Sequence, residues 1–258
     1  MADLPKLEGY VVIPAATTIT VNEGGGAVAV TITAGTYKLT GAGGLLATVA
    51  ALLTANGTLS LTYACACDDD SDTAATGKVT LSAGGAFAVT TMSAILATAL
   101  GLAAVNEWNS SAASHTSSLS SPYIFLPGCR RDPALAPDGS NGLLVISGSS
   151  TVADGGQLAV LVTGRRYRDT LGFSNLRGDR VWTHLAADDN TALEAFFYLV
   201  VGAGKRFDYH ADRSVDATFV SYQSPSVGEF PARAVVPGWT SGAASLWAWT
   251  VDVVLYVA

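Results

Sequence analysis

Alternation of apolar and polar positions is the strongest signal in the chain, and it predicts strands. Residues 27–39 read Ala-Val-Ala-Val-Thr-Ile-Thr-Ala-Gly-Thr-Tyr-Lys-Leu, a period-two run rich in β-branched side chains, and 10–13 continue the theme. Gly24-Gly25-Gly26 and the glycines of 41–44 mark turns on either side. The period then changes. Leu45, Leu46, Val49, Leu52 and Leu53 recur at helical spacing, and Asn56-Gly57 is a stop signal. Strands follow at 58–64, 77–82 and 86–90, with the acidic loop 68–72 between the first two, and a second short helix fits 92–100 before Gly101. Residues 1–105 are therefore expected to form an N-terminal α+β module.

Composition shifts at 109–121, which is mostly Ser, Ala and Thr and predicts a linker or extended surface arm. Residues 122–137 carry four prolines and the cluster Arg130-Arg131-Asp132, so 106–141 read as an arm and an irregular connector. Residues 142–258 return to alternation. Strands are predicted at 143–147, 157–163, 165–173, 181–185, 206–210, 217–222, 232–236 and 247–257, and Asp188-Asp189-Asn190 caps a helix over 191–201 that aligns Leu193, Phe196, Phe197 and Val200. The expected fold class is α+β and mostly β: the N-terminal module, then a β-barrel-like or sandwich-like domain with one helix.

Charge changes this picture in one respect. Charged residues are 14% of the 258 and hydrophobic residues 49%, against about 25% charged in an average soluble domain. So little charge implies surface hidden against neighbours or in a membrane. No run of about 18 apolar residues exists and no secretory signal opens the chain, so subunit contact is the expectation and membrane insertion is not. The net charge of −7 argues against specific nucleic-acid binding through phosphates.

Candidate chemistry is sparse. Asp68-x-Asp70-x-Asp72 opens like a calcium loop, but Thr73 follows where glycine is needed and Val79 occupies the position of the bidentate glutamate. His115, His184 and His210 lack ligand-spaced partners and read as surface or interface residues. Cys65 and Cys67, on one strand face, and Cys129 read as reduced thiols of a protein assembled in cytoplasm. No Gly-x-Ser-x-Gly elbow is present, and neither an enzyme nor a bound cofactor is expected. The basic pairs Arg130-Arg131 and Arg165-Arg166 are suited to bridging acids on a neighbouring subunit. Trp182, Trp239, Trp247 and Trp249 suit a core, an interface or a sugar platform. Arg130, Arg131, Arg165, Arg166, Trp239 and Trp247 are the candidate subunit contacts.

In order along the second half stand Thr163-Gly164-Arg165-Arg166-Tyr167, Leu171-Gly172-Phe173, Leu193-Glu194-Ala195-Phe196-Phe197 and Gly204-Lys205-Arg206-Phe207-Asp208-Tyr209. This succession resembles the barrel domain of tailed-bacteriophage distal tail and tail-tube proteins. Thr33-Ala34-Gly35-Thr36-Tyr37, Thr76-Gly77-Lys78-Val79-Thr80-Leu81 and Leu100-Gly101-Leu102 look like modules of proteins from phage tail gene clusters. The resemblance implies a virion tail component, at the distal end or baseplate, that acts through rings and carries no catalytic residues. Its partners would be copies of itself, with three-fold or six-fold symmetry, and other virion tail proteins. The α+β module before the barrel-like part departs from the family pattern. A major tail-tube protein, a capsid decoration protein and a carbohydrate-binding module remain the alternatives.

Overall fold

The computed structural model describes residues 4–70, 75–127, 143–152, 158–177, 195–215, 217–223, 234–235 and 246–255. They are mostly β, as the alternation predicts. Four strands open the chain: β1 (Lys6–Ile13), β2 (Thr17–Asn22), β3 (Ala27–Ile32) and β4 (Gly35–Lys38). Helix α1 (Leu45–Ala55) turns Leu45, Leu46, Val49 and Leu53 into the core and ends at Asn56, so the apolar spacing and the stop signal both act as read. Full burial of each such side chain is worth about 1.5–3 kcal/mol. Strands β5 (Tyr63–Cys67) and β6 (Lys78–Met92) follow, then α2 (Ala94–Ala99), whose N-cap Ser93 accepts from the Leu96 amide at 3.3 Å. Next come β7 (Ala112–Ser120) and β8 (Ile124–Phe125).

The later segments supply β9 (Leu143–Val152), β10 (Leu158–Arg177), a π-helical turn (Phe197–Val201), β11 (Arg206–His210), β12 (Val220–Gln223), β13 (Ala234–Val235) and β14 (Leu246–Leu255). Among the described residues the strands form two sheets. A nine-stranded one runs β4-β1-β11-β12-β14-β10-β9, with β13 on β14 and β8 on β1; a five-stranded one runs β3-β2-β6-β5, with β7 on β6. The larger sheet is an open path, not a closed barrel. Within it the first strand meets a late one, because β1 pairs antiparallel with β11 in the register Leu7↔Tyr209.

Several expected boundaries move. The predicted strand 27–39 breaks into β3 and β4 at Thr33-Ala34, whereas 77–82 and 86–90 merge into the single 15-residue β6. Residues 109–121 are not a linker: β7 pairs with β6 through Leu81↔His115 and Ser82↔Ser114. Serine here is a structural donor and acceptor. Ser117 Oγ takes the Val79 amide at 3.0 Å, and Ser121 Oγ donates to Ala99 O at 2.6 Å. The helix expected over 191–201 appears at its end as the π-helical turn, with Phe197, Val200 and Val201 buried; 191–194 lie outside the described residues, as does the strand expected at 181–185.

One face of β1 belongs to the core: Leu7, Val11 and Ile13 are buried with Phe196, Val200 and Phe207. Gly9 completes that face, and a Cβ there would meet Val200 Cγ2 at 2.5 Å. The strand passes so close to the π-helical turn that only glycine fits. Among the described residues no helix is long and apolar enough to cross a membrane.

Candidate functional site

The other face of β1 carries Lys6, Glu8 and Tyr10, since successive side chains of a strand alternate. Such a face normally meets water. Here Lys6 and Glu8 are both 0% exposed. The register explains why their burial is tolerated. Lys6 lies opposite His210 and Glu8 opposite Asp208 on β11; Tyr10 lies opposite Lys38 on β4; Asp208 lies opposite Ser221 on β12. Four strands thus bring acids, bases and hydroxyls to one face.

Glu8 is the hub. Its Oε1 accepts from the Thr40 amide at 2.5 Å and the Thr40 hydroxyl at 2.7 Å, and its Oε2 lies 3.3 Å from Lys38 Nζ and 3.5 Å from His210 Nε2. Burial pushes its carboxyl upward, but the His210 bond, the Lys38 charge, the Thr40 amide and the Lys6 charge outweigh that and bring it from 4.5 to about 2. Asp208 is engaged on both oxygens. Oδ1 accepts from Ser221 Oγ at 2.6 Å and lies 3.8 Å from Arg206 Nε; Oδ2 accepts from Tyr10 OH at 3.0 Å and lies 3.3 Å from Lys38 Nζ. Burial and then the Asp208 charge push the Tyr10 phenol up to about 12. Arg206 also donates to Ser221 Oγ at 2.9 Å and stacks on the Tyr10 ring at 4.8 Å, and Lys38 Nζ sits 4.1 Å from the centre of the Phe219 ring. Beside this network, Lys6 Nζ meets Asp69 Oδ2 at 2.7 Å.

The arrangement is a lock between distant parts of the chain, each acid faced by a cation and each hydroxyl by an acid. Paired groups in such a network define register; His210 Nδ1 is the exception, buried with no hydrogen-bond partner among the described residues. Among the described residues, no three His, Cys, Asp or Glu side chains come together to hold a metal ion.

The two described histidines are not surface residues. His210 is 0% and His115 6% exposed, because His210 faces Glu8 and His115 is wedged between the Phe87 and Trp108 rings at 4.8 and 6.1 Å. His184 lies outside the described residues, as do Cys129, Trp182, Arg130, Arg131 and Trp239. Arg165 and Arg166 are paired with Ile146 and Val145 in the β9–β10 ladder, and Trp247 with Leu176 and Val235 on β14; the described ladders therefore place these candidate contacts on β10 and β14, not on the charged face of β1. Asp68 spends its carboxylate on Thr76, whose amide and hydroxyl donate at 3.1 and 2.7 Å, while Asp72 lies outside the described residues. Cys65 and Cys67 are free thiols on one face of β5; burial pushes Cys65 up to about 12 and Cys67 well above the usual range.

Reading motifs alone missed Lys6, Glu8, Tyr10, Lys38, Asp69 and Asp208. A signal was present in Lys-Leu-Glu-Gly-Tyr and Arg-Phe-Asp-Tyr-His, two runs that place charge at alternate positions. Laid antiparallel, they set Glu8 beside Asp208 and Lys6 beside His210. No protein-family profile, no curated protein and no solved structure matches the chain.

Proposed function

We propose that this chain is a structural component of a bacteriophage virion tail, at the distal tail or baseplate, that works by joining copies of itself into a ring and docking other tail proteins. One observation carries the reading. Strand β10 is 20 residues long. Its second half, Arg168–Arg177, pairs with β14, but Leu158–Arg168 pairs only with β9 apart from Arg168 itself, and β9 ends the strand order. Among the described residues, then, a two-stranded ribbon extends past its own sheet by about 33 Å. An isolated two-stranded ribbon is marginal in water, and its free edges invite another chain. A neighbouring subunit supplies both edge and surface, in accord with a chain of only 14% charged residues.

In this reading the open path from β4 to β9 is completed into a barrel-like or sandwich-like wall by the neighbour, and closure leaves no edge exposed. Arg165 and Arg166 lie on the ribbon, and together with Arg130, Arg131, Trp239 and Trp247 they are the subunit contacts. A reconstruction of the particle tests the proposal. The expected result is a three-fold or six-fold ring at the tail tip with the ribbon against the next subunit. A copy number high enough to line the whole tail reassigns the chain to the tube, and a position on the capsid reassigns it to decoration. Single copies without touching symmetry mates overturn the reading altogether.

A further inference from the structure

Lys6 has no exposed surface, and Asp69, 2.7 Å from its ammonium, is 8% exposed. The two belong to different sheets. Lys6 opens β1 of the nine-stranded sheet, while Asp69 lies just beyond the end of β5 in the five-stranded one. Holding two full charges out of water is unfavourable, and burial lowers the cost of moving a proton across such a pair. Transfer of that proton to Asp69 turns the ion pair into a neutral amine beside a neutral carboxylic acid, which are the reactants of amide formation. With Nζ 2.7 Å from Oδ2, the carboxyl carbon is one covalent bond further on, so folding already holds the two reacting groups in contact.

We propose that Lys6 and Asp69 become joined, once the chain has folded, by an intramolecular isopeptide bond that ties the two sheets together covalently. The Lys6 Nζ lone pair attacks Asp69 Cγ and the C–N bond forms. The C–O bond to one carboxyl oxygen then breaks, and that oxygen leaves as water. Of the three protons on the starting ammonium, two depart with the water and one stays on the amide nitrogen. Nothing is oxidised or reduced and no co-reactant is consumed. Burial assists at each stage by favouring the neutral reactants and by keeping out the water that would reverse the reaction.

Two groups are placed to carry the protons. Glu8 shares the face of β1 with Lys6, two positions along, and is held as a carboxylate at about 2 by its neighbours. His210 stands directly opposite Lys6 in the register, and its buried Nδ1 has no hydrogen-bond partner among the described residues. This nitrogen makes no hydrogen bond within the lock, and it belongs to the β11 residue that faces Lys6 in the ladder. The inference does not rest on the assembly reading: it holds for a monomer as well as for a ring subunit.

The intact mass of the purified, folded chain decides it. The cross-linked protein is lighter than its sequence by one water, and a digest yields one branched peptide containing both Lys6 and Asp69. Lys6→Met and Asp69→Ala appear at their full sequence masses. Asp69→Asn forms the same bond by losing ammonia, so its mass converges on that of the cross-linked wild type. In Glu8→Gln the bond forms more slowly, on the order of 10²-fold, as expected for loss of a proton acceptor. An unchanged rate removes Glu8 from the reaction and leaves His210 as the relay. Wild type at its full sequence mass after prolonged incubation in the folded state overturns the proposal, whatever the variants do.

Discussion

Glu8 and Asp208 face each other across the β1–β11 ladder, and a single ammonium, that of Lys38, lies 3.3 Å from a carboxylate oxygen of each. Two buried acids at directly opposed positions repel unless a cation stands between them. Lys38 is therefore the pin that lets the first and last parts of the chain share one sheet.

Removing that pin is expected to be costly. Lys38→Met leaves both carboxylates buried, and the expected loss is about 3 kcal/mol, the low end for breaking a buried pair, because the Lys38 side chain is 20% exposed and Arg206 still faces Asp208. Adding Asp208→Asn to Lys38→Met removes the repulsion and restores part of the loss. Urea unfolding of the single and double variants measures both. Additive losses mean that the two acids do not interact.

Acid should open the same lock. The Glu8 carboxyl is at about 2 in the folded chain and 4.5 otherwise. A depressed acid contributes stability that is fully present above 4.5 and is lost as pH falls toward 2. The contribution is roughly 3 kcal/mol at neutral pH. Glu8→Gln lacks it, so the stability gap between wild type and this variant should close between pH 4.5 and 2. A gap that stays constant across that window rules out Glu8 as the titrating group.

The elements most legible in the sequence are those whose pattern is local. Helix α1 is announced by Leu45, Leu46, Val49 and Leu53 and stopped by Asn56, and all of these act within the helix itself. Strand β2 is less plain, since Thr17, Thr18 and Thr20 blur its alternation, and its place is settled by pairing with β3 and β6. Gly84-Gly85 falls between the strands expected at 77–82 and 86–90 but lies inside β6, where the register with β7 shifts between Ser82 and Phe87; glycine there accommodates an irregularity. The candidate site was the least legible part. Glu8 and Asp208 acquire their meaning only when strands from opposite ends of the chain pair, and no spacing motif records such a pairing.

Glu23 offers a test of a smaller staple. Its carboxylate accepts from the Ser60 amide at 2.8 Å, the Ser60 hydroxyl at 2.7 Å, the Leu61 amide at 3.1 Å and the Tyr63 hydroxyl at 2.7 Å. It thereby ties the turn after β2 to the segment entering β5. Glu23→Ala should destabilise the fold by about 1–2 kcal/mol and speed amide exchange at Ser60 and Leu61 well above that of β6. Unchanged exchange at those two amides would show that the staple is not formed.

Gly9 and Val200 should prove energetically coupled. A methyl at position 9 meets Val200 Cγ2 at 2.5 Å, so Gly9→Ala must push the π-helical turn away, at a cost of about 1–3 kcal/mol. Val200→Ala alone leaves a cavity, with a loss of about 2 kcal/mol. In the double variant the new methyl occupies the vacated space, and the combined loss should be smaller than the sum of the two. Strict additivity in unfolding experiments would mean that β1 and the turn are not in contact at this point.

The serine-rich strand β7 gives the sharpest contrast between composition and structure. A flexible arm of this composition would exchange its amides quickly and be cut first by proteases. In the fold, however, β7 is laddered to β6, and Ser118 N and Leu119 N donate to Glu107 and to Gly101 O at 2.6 and 3.0 Å. His115 anchors the strand from within. Its Nε2 donates to Phe87 O at 3.0 Å, and its ring lies edge-on to Phe87 and stacked on Trp108. Amides of 112–120 should therefore be protected to about the same degree as those of β6, and limited proteolysis should spare them. His115→Ala removes the ring contacts and the donor to Phe87 O together, for an expected loss of about 2–4 kcal/mol. His115→Phe keeps the ring but leaves the carbonyl unpaired, and should fall between that variant and wild type. Rapid exchange across 112–120 in the wild-type chain would return the segment to the status of an arm; protection that disappears in His115→Ala, and only partly in His115→Phe, would identify the buried histidine as what holds β7 in the sheet.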